Sequence, residues 1–277
     1  MPSNVWLIGG TSESAKLASE LLARDVPFIV TVTTDAARSL YPPAAQVHVG
    51  KLTPEAMADF VQQQQVGCVL DASHPFANEV SRQAIALTNT PINTPITPRT
   101  NGTVPYLRYE RPTVSASPAV DSSDDNLATN NLITVVPSIE GLLASEMLCH
   151  QRVLFTLGYR YLSQFAPLRQ TSQLFARILP SEDAIACTLS AGFKPQEIVA
   201  FRPPVSVALE KALWEQWNIS VVVAKASGSP GGETVKRQVS ALLGTHLVLI
   251  QRPPVSYPRQ TSSLIEAVDF CERALRE

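Results

Sequence analysis

Short apolar runs and amphipathic segments take turns along most of this chain, and that alternation limits the fold more than any other feature. Val5-Trp6-Leu7-Ile8 stops at Gly9-Gly10, and the next segment places Ala15, Leu17, Ala18, Leu21 and Leu22 at helical spacing. This spacing predicts a strand, a tight turn and a helix. Val26 to Thr33 is rich in β-branched residues and predicts a second strand. The pattern continues through Gln46–Val49, a helix from Pro54 to about Gln64, the strand Cys68-Val69-Leu70 and a helix from about Ala77 to Leu87. Further strands are expected over 133–136, 153–157, 174–178, 198–201, 220–224 and 247–250, with helices over 206–217, 234–243 and 262–275. Hairpin signals are few, so the expected fold is α/β with mainly parallel sheets covered on both faces.

The 277 residues suffice for two domains. Asn89-Thr90-Pro91-Ile92 is repeated at once as Asn93-Thr94-Pro95-Ile96, and the recurring prolines make 89–103 a surface insertion. Thr113 to Asn131, with Asp121-Ser122-Ser123-Asp124-Asp125-Asn126 inside it, is polar and aperiodic and reads as a long loop. Two consecutive domains are therefore expected, 1–132 and 133–277. The first holds 8 basic and 12 acidic side chains and the second 14 and 12, a mild excess that favours an anionic ligand in the second half.

Composition removes several classes of function. At 45% hydrophobic and 17% charged, the chain is not a disordered polymer. No apolar stretch approaches the roughly 18 residues of a membrane span. Met1-Pro2-Ser3-Asn4 runs into the first strand without a basic region or a cleavage site, so a cytoplasmic location is expected, with no membrane partner. Cys68, Cys149, Cys187 and Cys271 form no C-x-x-C pair and are expected to be free thiols. His48, His74, His150 and His246 have no metal-ligand spacing, so no metal is expected. Without a Lys/Arg cluster, nucleic acid is not an expected partner either.

Four stretches could carry chemistry. Gly9, Gly10, Thr11, Ser12 and Glu13 lie between a buried strand and a helix, where glycines allow close approach of a diphosphate and the helix start supplies donors. The spacing is not G-x-G-x-x-G, and a purely structural turn remains open. Thr33, Thr34 and Arg38, past the second strand, could bond the 2′-phosphate of NADP, whereas Asp35 keeps NAD as the alternative. Asp71-Ala72-Ser73-His74-Pro75-Phe76-Ala77 follows another strand, with an imidazole and a flat apolar ring at the carboxyl edge of the sheet. Lys225-Ala226-Ser227-Gly228-Ser229-Pro230-Gly231-Gly232 is an anion cradle in composition, but it is not an ATP-type P-loop. There is no nucleophile elbow, and no tyrosine is followed by Lys four places on.

Taken in order, Ile8-Gly9-Gly10-Thr11-Ser12-Glu13, Asp71-Ala72-Ser73-His74-Pro75-Phe76-Ala77, Pro105-Tyr106-Leu107-Arg108-Tyr109-Glu110-Arg111-Pro112, Lys225-Ala226-Ser227-Gly228 and Gln251-Arg252-Pro253 make the chain resemble the precorrin-6A reductases of cobalamin biosynthesis. The resemblance implies two Rossmann-like domains with a ligand cleft between them. It also implies hydride transfer, usually from NADPH, to a carbon–carbon double bond of a polycarboxylate tetrapyrrole, precorrin-6A or its cobalt form. NADH stays open as cofactor, and transient contact with neighbouring pathway enzymes is an implied partnership.

On that basis His74 is the imidazole best placed to supply or relay a proton. Ser73, His74, Phe76, Arg160, Lys225, Ser227 and Gly228 are the expected substrate contacts, with Arg202 a further cation for carboxylates. Gly158-Tyr159-Arg160 with Leu162 and Phe165 also resembles the family, whereas Arg202-Pro203-Pro204-Val205 departs from its usual Arg-Gly-Pro-Phe. The alternatives are another NAD(P)-dependent reductase or epimerase of this fold, which the missing Tyr-x-x-x-Lys speaks against, and an NADP-sensing regulatory protein without turnover.

Overall fold

A computed structural model describes residues 3–89, 103–112 and 132–276. The expected insertion at 89–103, apart from its two end residues, and the expected loop at 113–131 lie outside the described residues. The chain forms two units, Met1–Pro112 with Pro254–Glu277, and Thr113–Pro253.

In the first unit β1 (Asn4–Ile8), β2 (Phe28–Val32), β3 (Gln46–Val49), β4 (Val66–Asp71) and β5 (Tyr106–Tyr109) pair only in parallel, with α1 (Ser12–Ala23), α2 (Pro54–Gln63) and α3 (Asn78–Thr88) in the connections. Successive side chains of a strand point to opposite faces. Val5 and Leu7 accordingly pack with Leu17 and Leu21 of α1, while Trp6 and Ile8 pack with Met57, Phe60 and Val61 of α2. Both faces of β1 are covered, which is why its sequence is an unbroken apolar run instead of an alternating one. The polar atom of Trp6 is satisfied: Nε1 donates to Thr31 Oγ1 at 2.9 Å.

The second unit contains β6 (Ile133–Val136), β7 (Arg152–Phe155), β8 (Gln173–Ile178), β9 (Ile198–Ala200), β10 (Val221–Lys225) and β11 (His246–Ile250), with α4 (Ile139–Leu143), α5 (Glu182–Ser190), α6 (Val207–Gln216) and α7 (Glu233–Leu243). Its strands are again all parallel, in the order β6-β11-β10-β7-β8-β9. The chain then returns to the first unit. There β12 (Gln260–Thr261) pairs with β5, and α8 (Leu264–Arg276) buries Ala267, Val268, Phe270 and Cys271 in the core that holds Val5 and Leu7.

The first sheet therefore runs β12-β5-β4-β1-β2-β3. Counted from the central strand that starts each winding, both sheets have the order 3-2-1-4-5-6 of doubly wound dinucleotide-binding domains. The α/β expectation with parallel sheets agrees with this. The sixth strands are exchanged, because β12 follows the second unit in sequence and β6 precedes the rest of its own. Consecutive domains 1–132 and 133–277 were expected, but residues 254–277 belong to the first unit. Strand and helix periodicity fixes an element's type and exposed face, but not the sheet edge to which it returns. Among the described residues no helix is long and apolar enough to cross a membrane.

Candidate active site

In such a sheet, ligands bind outside the carboxyl ends of the strands where the winding direction reverses. In the first unit that point lies between β1 and β4. Gly9 donates its N–H to Thr31 O, and Ala72 donates its N–H to Ile8 O, at 3.0 Å each. A Cβ at Gly9 would strike the Tyr41 hydroxyl and lie 2.8 Å from Val30 Cγ1, so only glycine fits there. Gly10 has φ of 94°, a left-handed region that favours glycine, and the space that its Cβ would fill is open.

Tyr41 organises this turn, a role that the sequence reading missed. Its hydroxyl accepts the Gly10 N–H and shares a bond with Ser14 Oγ, each at 2.7 Å. Burial, offset in part by those two bonds, raises its pKa above the ordinary tyrosine value. Thr11 is the N-cap of α1: its Oγ1 accepts the Ser14 N–H and donates to Ala72 O, while its own N–H goes to Ser14 Oγ. The side chain of Thr11 thus shapes the loop and ties it to the β4 end. Ser12 and Glu13 supply the first-turn N–H groups, which a helix leaves unbonded. The Glu13 carboxylate is 2.7 Å from Arg111 Nη2, with both side chains nearly buried. That pairing offsets a negative charge that would otherwise oppose a phosphate at the helix start.

Beyond β2, Thr33 and Thr34 are exposed, and Asp35–Leu40 forms a 3₁₀ turn that carries Arg38. Arg38 meets Asp35 at 3.2 Å with both side chains exposed. A surface pair of this kind is held by only about 0–1 kcal/mol, so Arg38 is readily drawn to a stronger anion.

The end of β4 rests on a buried network. Asp71 Oδ1 accepts the Ser73 N–H at 3.0 Å and Arg108 Nη1 at 2.9 Å, and Oδ2 accepts Ser81 Oγ and the Tyr106 hydroxyl at 2.6 Å each. Arg108 also donates to Ser73 Oγ at 3.0 Å and to Glu110 at 2.9 Å, and packs over the Tyr257 ring. Asp71 is 0% and Arg108 1% exposed. Burial works against charge on Arg108, but Asp71 and Glu110 outweigh it, and its pKa rises. Burial beside Asp71 likewise pushes Tyr106 far up. The network fixes the start of the loop that carries His74 and Phe76. His74 Nδ1 accepts the Phe76 N–H at 3.2 Å, which places the proton of the neutral ring on Nε2. The two rings lie 5.9 Å apart.

The reversal in the second unit lies between β7 and β10. Gly158, at φ of 82°, leads into the 3₁₀ segment Tyr159–Gln170, anchored by buried Leu162 and Phe165. The same segment presents Arg160 and Tyr161. Lys225 Nζ lies 4.6 Å from the centre of the Tyr161 ring. Burial first and the Arg160 charge second bring the Lys225 pKa down to about 8. The structure therefore brings Arg160 and Lys225 near one another. Exposed Arg202 follows β9.

The rest of the Lys225–Gly232 loop differs from an open anion cradle. Gly228 donates its N–H to Glu233 Oε2 at 2.9 Å, Ser227 is buried against Gly231, and Lys236 Nζ donates to Gly231 O and Gly232 O at 3.2 Å. Ser227 and Gly228 thus shape the loop, with the Ala226 carbonyl accepting from Arg252 Nε at 2.9 Å.

The sheet order, the open backbone at Gly10 and the two first-turn N–H groups suit the diphosphate of a dinucleotide, and Thr33, Thr34, Asp35 and Arg38 lie exposed beyond β2. The family model described as precorrin-6x reductase CbiJ/CobK matches residues 4–272. The chain belongs to this family. The sequence resemblance is borne out. The cobalt-precorrin-6A reductase of Synechocystis sp. is 40% identical over 99% of this chain and 97% of its own length. That of Priestia megaterium is 31% identical over 95% and 96%. A solved structure titled CobK precorrin-6A reductase superposes with a TM-score of 0.74, at 22% identity, over 98% of this chain and 97% of that one, a likeness of fold.

Proposed function

We propose that this chain reduces one carbon–carbon double bond of cobalt-precorrin-6A, with NADPH preferred over NADH as the hydride source. The observation that carries the reading is membership of the family over nearly the whole chain, with relatives at 40% and 31% identity both named for that activity. A reduced nicotinamide supplies two electrons and a proton as hydride. The residues to hold it are Gly9, Gly10, Ser12 and Glu13 through backbone groups, and Thr33, Thr34 and Arg38 at the adenosine ribose, while Thr11 shapes the turn. In the first unit Phe76 offers a flat apolar surface to a conjugated ring system, and in the second Arg160 and Lys225 offer charge to carboxylates. Ser73 and His74 set the loop that carries Phe76, and Ser227 and Gly228 set the loop that follows Lys225.

An anaerobic assay of cobalt-precorrin-6A and precorrin-6A, each with NADPH and NADH and read by the tetrapyrrole absorbance, tests the reading. Turnover of the cobalt form with NADPH is expected. A colour change on binding with no turnover in any combination points to the NADP-sensing alternative. Arg38→Ala is expected to lower the NADPH-over-NADH ratio of kcat/KM by about tenfold, equivalent to about 1.4 kcal/mol. A wild-type preference for NADH would assign the choice to Asp35 instead.

A further inference from the structure

We propose that the second unit carries a further ligand site, for a compact oxyanion of the phosphate or carboxylate kind, in a cleft at the amino ends of β7 and β8. The cleft has a volume of about 410 Å³, and its lining includes His150, Arg152, Arg169, Thr171, Ser172 and Gln173. All of these residues belong to the second unit. Residues 150–152 and 171–173 lead into the two strands, whereas a doubly wound sheet takes its main ligand outside the carboxyl ends. The site is therefore separate from the groups assigned to the reduction above, and it stands or falls without them.

Cations line this cleft without matching acids. None of the described residues in its lining is acidic. Arg152 donates from Nε to Trp217 O at 2.7 Å and from Nη1 to Gln173 Oε1, and its guanidinium packs over the Phe175 ring at 5.0 Å. Both acceptors are neutral, so its charge has no acidic partner among the described residues. Arg169 packs over the Phe193 ring at 4.4 Å, and its Nη2 meets Glu197 Oε2 at 3.0 Å. That oxygen also accepts the Lys194 N–H at 2.8 Å. Arg169 Nε is buried without an acceptor, which holds for no other buried side-chain polar atom among the described residues. Native structures keep few such donors, and a bound ion is one of the usual reasons for one.

The imidazole of His150 completes the set. It is exposed and makes no hydrogen bond among the described residues, and either neutral tautomer carries an N–H to offer. Ser172 Oγ and Thr171 Oγ1 already donate to Leu148 O and Leu168 O, at 2.7 and 3.3 Å, so the two guanidiniums and the imidazole are the donors left for a ligand. A planar guanidinium fork matches the oxygens of a carboxylate or phosphate, and packing on an aromatic ring holds each fork in place before a ligand arrives. The volume lies within the range of small-molecule sites, so the anion can be part of a larger organic phosphate or polycarboxylate.

The ring of His150 reports on the cleft directly. Histidine ring resonances of the full chain are followed by NMR at constant pH and ionic strength while inorganic phosphate replaces chloride, with citrate as a second arm. The resonance lost in His150→Gln identifies this ring. Its signal is expected to shift and saturate, with half-saturation below about 10 mM. Saturation with phosphate alone assigns a phosphate ligand, with citrate alone a carboxylate, and with both the chemistry that they share. Arg169→Gln removes the orphaned donor together with the charge, and is expected to weaken binding about tenfold or more, as the loss of a charge-assisted hydrogen bond does. Gln173→Glu, at an exposed position, puts a carboxylate beside Arg152 and should abolish saturation, so the outcome does not depend on the Arg169 variant folding. A His150 signal that saturates with neither probe, or saturation that survives in Gln173→Glu, would overturn the site.

Discussion

Arg108→Met is expected to destabilise the protein by about 3–5 kcal/mol, the usual cost of removing one partner from a buried ion pair. For a protein of this size that corresponds to a fall in Tm on the order of 10 °C. Asp71 is wholly buried, and without Arg108 it keeps three neutral donors, the Ser73 N–H, Ser81 and Tyr106, but loses its countercharge. Ser73 and Glu110 lose a donor in the same change. The double variant Asp71→Leu/Arg108→Met removes both charges. Residues in direct contact couple by about 0.5–3 kcal/mol, so it should be less damaged than the sum of the single variants by an amount in that range. Denaturant unfolding of the four proteins provides the cycle. Strict additivity would show that the pair contributes only through packing. Because Arg108 also holds Ser73, the loop carrying His74 should lose its position, and kcat/KM should fall even where the variant is folded.

Arg108 also shows where the sequence stops being readable. A charged residue inside Tyr106-Leu107-Arg108-Tyr109 interrupts the apolar pattern of a buried strand, and β5 was not expected from periodicity. The block Pro105–Pro112 contributed to the family resemblance without a physical reason for its residues. The reason is pairing across the fold: Arg108 with Asp71, and Arg111 with Glu13. Periodicity reports which face of an element is buried, but a buried charge is legible only once its partner's strand has been placed beside it. Tyr41 was hidden in the same way, since its hydroxyl reaches Gly10 across 31 positions of sequence. By contrast, the β1 loop, the His74 loop and the Lys225 loop could all be found in advance. Each follows an apolar run and precedes a helix, and in a parallel sheet that local order alone sends a loop to the carboxyl edge. The expected roles of single residues in those loops fared less evenly, because Thr11 and Gly228 use their polar groups within the protein.

The loop glycines allow a test in which cofactor binding and folding are separated. Gly10→Val puts a β-branched residue at φ of 94°, at a cost of about 1–3 kcal/mol. Among the described residues, its chain neighbours aside, no heavy atom lies within 4 Å of the added Cβ, so the strain is local and the fold should persist. The side chain then occupies the open space over which a diphosphate would approach the backbone. NADPH affinity is expected to drop by more than tenfold, or more than about 1.4 kcal/mol. Gly9→Ala acts differently: its Cβ drives into the Tyr41 hydroxyl and Val30, and a displaced Tyr41 gives up both Gly10 and Ser14. Its loss should therefore appear in Tm as well as in binding. Tyr41→Phe removes only the hydroxyl, leaves the Gly10 N–H without that acceptor, and should fall between the two. Fluorescence titration with NADPH alongside thermal melts distinguishes the three variants. A folded Gly10→Val protein that binds NADPH as tightly as wild type would move the cofactor away from this loop, because no weaker substitution at that position could then be expected to matter.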